Sequence, residues 1–169
     1  MKGSHLQARK AYSLVELLII LVIVVVLILL AIPSLLNLMR QYRVTSNAQA
    51  LYFNLQYARS EALKRGQSVY ISFQTGSSWC YGMNRGSACN CTNPSSCNLG
   101  SFTPTSSQLS LTLSGFSSPL IFQGSRGNAN GTGTITLTAI GGTQSMGVDV
   151  STVGNILLCS TTLSGYPTC

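Results

Sequence analysis

The chain has 169 residues with 10 Lys+Arg, 3 Asp+Glu, one His and six Cys, and charged residues make up 8% of it, against about 25% in an ordinary soluble domain. The acids are Glu16, Glu61 and Asp149 and the histidine is His5. That is too few to assemble a paired-carboxylate or histidine-based catalytic pocket, or a carboxylate or imidazole cage for a metal ion. No enzymatic activity, cofactor or metal is expected, and the length suits one small domain plus an appendage at about 100–200 residues per domain.

Residues 1–11 are polar and basic, carrying Lys2, Arg9 and Lys10 with no acid. Leu17–Ile32 is then an unbroken run of 16 apolar residues. With its flanks it reaches the roughly 20 residues needed to cross a bilayer. Cations before the run predict a cytoplasmic N-terminus and an exported remainder, a single pass through a membrane. A cleavable signal peptide has an apolar region of about 7–15 residues and a small-x-small site. Ala31-Ile32-Pro33 offers no Ala-x-Ala match, and a carboxylate at Glu16 would burden a disposable segment.

Between residues 39 and 66 the pattern becomes amphipathic. Val44, Ala48, Leu51, Leu55, Ala58 and Ala62 recur at alternating spacings of 4 and 3, one stripe of a helix. Arg59 and Glu61 are expected to dress its surface. Lys64 and Arg65 suit the negative end of the helix dipole, and Gly66 the position just past its last residue. No glycine lies between Tyr12 and Arg65, and the one proline there is Pro33. One helix over residues 12–65, bent near Pro33, is the economical reading; in length it would span roughly 80 Å.

From Gln67 the texture is β. Val69–Gln74, Trp79–Met83, Leu109–Leu113, Leu120–Phe122, Thr134–Ala139, Met146–Val150 and Asn155–Cys159 are short runs separated by Gly, Ser, Asn and Pro, the signature of strands and turns. About seven strands after one long helix predict an α+β domain at residues 67–169, with antiparallel sheets packed on the helical stripe.

Ala11-Tyr12-Ser13-Leu14-Val15-Glu16-Leu17-Leu18-Ile19 closely resembles the class III signal of type IV pilins and pseudopilins. The resemblance implies cleavage by a prepilin peptidase between Ala11 and Tyr12, N-methylation of Tyr12, and retention of residues 12–38 as the transmembrane and assembly half of the helix. Glu16 would then align subunits and Pro33 would bend the helix. Ala11 departs from the glycine that usually precedes the cut. Physical chemistry singles out Glu16 independently, because an ionised carboxylate at the edge of a bilayer core calls for a partner, and the new amine of a neighbouring Tyr12 would supply one.

Leu51-Tyr52-Phe53-Asn54-Leu55-Gln56-Tyr57-Ala58-Arg59-Ser60-Glu61-Ala62, followed by Val69-Tyr70-Ile71-Ser72-Phe73, is similar to the helix-to-strand passage of the FimT/FimU and GspH group. The glycine-containing segment Ile121–Gly127 before Thr134-Ile135-Thr136-Leu137 resembles that group too. It implies the type IV pilin fold and a minor pilin that primes fibre assembly at or near the tip. The implied partners are other minor pilins, the major pilin, the prepilin peptidase, the inner-membrane assembly platform and, before assembly, membrane lipid. Two alternatives stand beside it: a type II secretion pseudopilin of the H type, and a DNA-binding minor pilin of natural transformation. The second is weakened because the Gly-Arg-x-Arg motif of such proteins is matched here by Gly154-Asn155-Ile156-Leu157.

Cys80, Cys89, Cys91, Cys97, Cys159 and Cys169 all follow the membrane run, so export favours disulfides. The first four are spaced 9, 2 and 6 apart, unlike a pair of zinc knuckles. Cys159 with Cys169 is the expected pair, Cys89 and Cys91 are expected to take different partners, and the remaining connectivity is open. Removing residues 1–11 leaves seven Lys/Arg against three acids. Of these, Arg85 and Arg126, together with Trp79 and Tyr81, are candidates for a weak nucleic-acid contact, against a simpler reading as solvated loop arginines.

Overall fold

A computed structural model describes residues 13–104 and 108–169. Helix α1 covers Leu14–Arg65, followed by strands β1 (Val69–Gln74), β2 (Cys80–Arg85), β3 (Gly100–Phe102), β4 (Leu109–Ser114), β5 (Leu120–Phe122), β6 (Gly133–Ala139), β7 (Ser145–Val150) and β8 (Ile156–Cys159). The chain divides into two compact units between Leu38 and Met39.

In the first unit α1 begins with the Leu17 N–H donating to the Ser13 carbonyl at 3.2 Å and stays helical through Pro33. Pro33 has no N–H to give its helical acceptor, and the helix continues past it nonetheless. The described side chains of Leu14–Leu38 are all exposed. By length and composition this helix is apolar enough to cross a membrane.

The second unit is built on the other stretch of α1. Val44, Ala48, Leu51, Leu55, Ala58 and Ala62 are fully buried, so the 3–4 spacing read from the sequence is the face that the strands cover. Helix α1 ends in a Schellman motif: the Gln67 N–H donates to the Ala62 carbonyl at 3.2 Å and the Gly66 N–H to the Leu63 carbonyl at 3.4 Å. Gly66 sits at φ +63°, a conformation that a Cβ penalises.

Two four-stranded antiparallel sheets lie against this face, in the orders β3-β2-β1-β5 and β4-β6-β7-β8. In the first, Val69, Ile71 and Phe73 of β1 point inward; in the second, Ile135, Leu137 and Ala139 of β6 and Met146, Val148 and Val150 of β7 do so. Strand periodicity of two places every second residue in the core. A bridge between Gly76 and Leu111, with N–H to carbonyl bonds of 2.9 and 3.1 Å in the two directions, joins the sheets. Register fixes two poles. Val69 lies opposite Arg85 and Phe122 at the C-terminal end of α1. Leu109 lies opposite Ala139 at the other end of the second sheet.

Strand β3 was not expected. It is three residues long, pairs Phe102 with Tyr81, and lacks the alternating pattern by which the other strands were read.

Candidate functional site

Glu16 stands in the first turn of α1, exposed on an otherwise uncharged stretch of that helix: no other charged residue occurs between Ser13 and Met39. A carboxylate at a helix N-terminus is favoured by the helix dipole, but in hydrocarbon it still needs a counter-charge. Ala11 and Tyr12, the expected cleavage site and methylated residue, lie outside the described residues.

Arg59 and Glu61 do more than dress the helix. Arg59 Nε donates to the Gly127 carbonyl at 3.0 Å and its Nη2 to the Val153 carbonyl at 3.2 Å, so one guanidinium ties the β5–β6 and β7–β8 connections to α1. A planar fork with fixed donors suits two carbonyls on separate loops. Gly127 and Gly154 both adopt positive φ, +66° and +79°, where the two loops crowd around the Arg59 head. Glu61 is buried, its side chain only 9% exposed, with Oε2 2.9 Å from Arg65 Nε and Oε1 3.9 Å from Lys64 Nζ. The hydrogen bond from Arg65 holds its carboxyl below the usual range, against desolvation that acts the other way.

The six cysteines form three disulfides: Cys80–Cys91, Cys89–Cys97 and Cys159–Cys169, with Cα separations of 5.8, 5.3 and 4.9 Å. Cys89 and Cys91 take different partners, so the first two bridges interlock and staple residues 86–99 over the first sheet. The third ties the C-terminal tail to β8. Each sheet accommodates a bridge over a strand glycine. A Cβ on Gly82 of β2 would fall on the sulfurs of Cys89 and Cys97. One on Gly147 of β7 would lie 2.7 and 2.9 Å from Cys169 and Cys159 Sγ.

The grouping of Trp79 and Tyr81 with Arg85 and Arg126 requires correction. Both rings are buried, at 0% and 1% exposure, and they stack with Phe102 inside the first sheet. Asn54 Nδ2 donates to the Tyr81 hydroxyl at 2.7 Å. Alternation along β2 turns Tyr81 inward, so neither ring offers a platform to a nucleobase. Arg85 and Arg126 instead lie at the α1 C-terminal pole. Arg85 pairs in register with Val69, and Arg126 is exposed on a loop whose Gly124 packs directly on the backbone of Gly66 and Gln67. Lys64 and Arg65 stand at the same pole. Asn155 and Leu157, the residues at the Gly-Arg-x-Arg positions, are exposed at the start of β8.

A long apolar N-terminal helix, continuing as the amphipathic core of a unit of two antiparallel sheets, defines the type IV pilin-like class. The family profile described as Type II transport protein GspH matches residues 47–154, and the chain belongs to that family. In fold it is similar to the type IV minor pilin FimU of Pseudomonas aeruginosa (strain PAO1). In one crystal form the TM-score is 0.53 and the identity 21%, over 68% of this chain and 90% of FimU. In a second form they are 0.55 and 20%, over 69% and 88%. No curated protein sequence matches significantly. The chain is thus a minor pilin or pseudopilin of the FimT/FimU/GspH type, a structural subunit that interacts with other pilin subunits and not an enzyme.

Proposed function

We propose that this chain is a minor pilin of a type IV pilus that primes fibre assembly at or near the tip. It is cut between Ala11 and Tyr12, N-methylated on Tyr12, and held in the inner membrane with its N-terminus cytoplasmic and residues 67–169 periplasmic. The assembly platform then extracts it into the fibre beside other minor pilins and the major pilin. Glu16 supports this reading: it is the single charge in the exposed apolar stretch of α1. A carboxylate there is costly in lipid and is compensated when a neighbouring subunit's Tyr12 amine comes alongside. Pro33 gives the helix one missing hydrogen bond at which to bend during extraction.

The experiment is mass determination of the N-terminus after expression with and without prepilin peptidase. The reading predicts a mature chain starting at methylated Tyr12 only when the peptidase is present. An uncut chain, or a cut after Ala31, would contradict it.

The family match favours a second reading, a type II secretion pseudopilin of the H type. Deleting the gene separates the two: loss of piliation supports the pilus, loss of exoprotein secretion the pseudopilus.

A further inference from the structure

The β6–β7 turn returns to α1 just past the end of the apolar run. Residues 17–36 cover about 30 Å at 1.5 Å per residue, the thickness of a bilayer's hydrocarbon core. In a helix, residues 40–43 follow by about 6–11 Å, and the headgroup layer is about 5–7 Å deep on each side. Arg40 falls in that layer, and Tyr42 and Arg43 start about 2–4 Å beyond it, with side chains that lean back toward the helix N-terminus. Tyr42 is 73% exposed, and Arg43 is exposed as well. The turn packs on the Arg40 side chain. A Cβ on Gly142 would lie 3.0 Å from Arg40 Cδ, and one on Gly141 3.9 Å from Arg40 Nη2. Ile140, leading this turn, is 48% exposed.

We infer that Arg40, Tyr42, Arg43 and the Ile140 turn form a foot that rests on anionic phospholipid headgroups while the subunit waits in the membrane. This inference depends on the membrane-anchored reading above. Each group has the chemistry of an interface. Guanidinium groups bond phosphate oxygens and are attracted to anionic lipid. A tyrosine ring settles at headgroup level with its hydroxyl toward water. Ile140 can bury its exposed half among the upper methylenes. Three backbone amides of the turn are satisfied within the protein: the Ala139, Ile140 and Gly142 N–H groups bond the Gln144, Gln108 and Ala139 carbonyls at 2.9, 2.9 and 3.3 Å. No acidic residue lies between Glu16 and Glu61, or between Glu61 and Asp149, so no carboxylate of those stretches opposes the phosphates. Arg40 follows Leu36 by four residues of chain, so a lipid surface is close to these cations whenever residues 17–36 span the bilayer.

The test uses the full chain in vesicles of phosphatidylethanolamine and phosphatidylglycerol, carrying Ile140→Trp or, at the opposite pole, Ser125→Trp. Headgroup spin labels should quench Ile140→Trp about twofold or more beyond Ser125→Trp. The excess should shrink with Arg40→Gln/Arg43→Gln or in vesicles without phosphatidylglycerol, because each interfacial Arg biases docking by on the order of fivefold. In the unsubstituted chain, amide exchange over residues 139–145 should slow on passing from detergent to these vesicles. Equal quenching of the two variants, or unchanged exchange, in protein that floats with the vesicles would overturn the foot alone. Protein that fails to float would overturn the membrane reading and the foot with it.

Discussion

Arg59 Nε lies 3.0 Å from the carbonyl oxygen of Gly127, a residue 68 positions further along the chain. With the second bond from Nη2 to Val153, this contact makes one helical side chain the link between α1 and the far ends of both sheets. It closes the α1 C-terminal pole of the domain.

Arg59→Ala should therefore destabilise the protein by about 1.5–3 kcal/mol, the range for hydrogen bonds to a charged group. Arg59→Lys should recover only part, since one ammonium cannot match two separated carbonyls with the geometry of the guanidinium fork. Chemical denaturation of the detergent-solubilised chain measures both. Equal stability of the Lys variant and the parent would refute the bridging role.

Gly147→Ala should cost about 1–3 kcal/mol, because the added methyl meets the Cys159–Cys169 bridge and Thr134 Cγ2, the latter at 2.8 Å, in a packed surface. The cost should fall when both cysteines are replaced by alanine, since one of the two clashes is removed. A double-mutant cycle on denaturation midpoints reads this coupling.

Proteolysis under non-reducing conditions with mass spectrometry should recover Cys80–Cys91, Cys89–Cys97 and Cys159–Cys169 peptides. Removing the last bridge should lower stability by about 2–3 kcal/mol, as expected for closing a loop of ten or so residues. Free thiols or other pairings would contradict the structure.

Acid should weaken the protein partly through Glu61. Its folded carboxyl sits below the ordinary value of 4.5, so the ionised form is favoured by folding. The resulting stability is fully present above about 4.5, the unfolded value, and is lost as pH falls through the lower folded value. Glu61→Gln should flatten stability against pH in that acid window relative to the parent. An unchanged slope would mean that the Arg65 contact does not favour the ionised form in solution.

The fold was largely legible because its strongest signals are periodic. The spacing of Val44 through Ala62 and the alternation in β1, β4 and β6 each report a buried face directly, and Gly66 marks the helix end by its conformational freedom. What the sequence hid depends on partners distant along the chain. Nothing near Arg59 points to carbonyls 68 and 94 residues later. The inward turn of Tyr81 follows from the register of β2, and alternation along that strand is obscured by Cys80, itself in a disulfide, and by Gly82, which lies under another. At the assembly segment the relation is reversed. Glu16 was singled out by the cost of a charge in an apolar run, and α1 carries that charge in its first turn, where a neighbouring subunit would have to meet it.

The most direct measurement of the central claim is incorporation of the Glu16→Ala protein into fibres, scored by immunodetection in sheared pili beside its level in the inner membrane. The account predicts normal membrane insertion and normal cleavage at Tyr12, with incorporation lost. Incorporation equal to the parent would contradict the role given to Glu16 in aligning subunits.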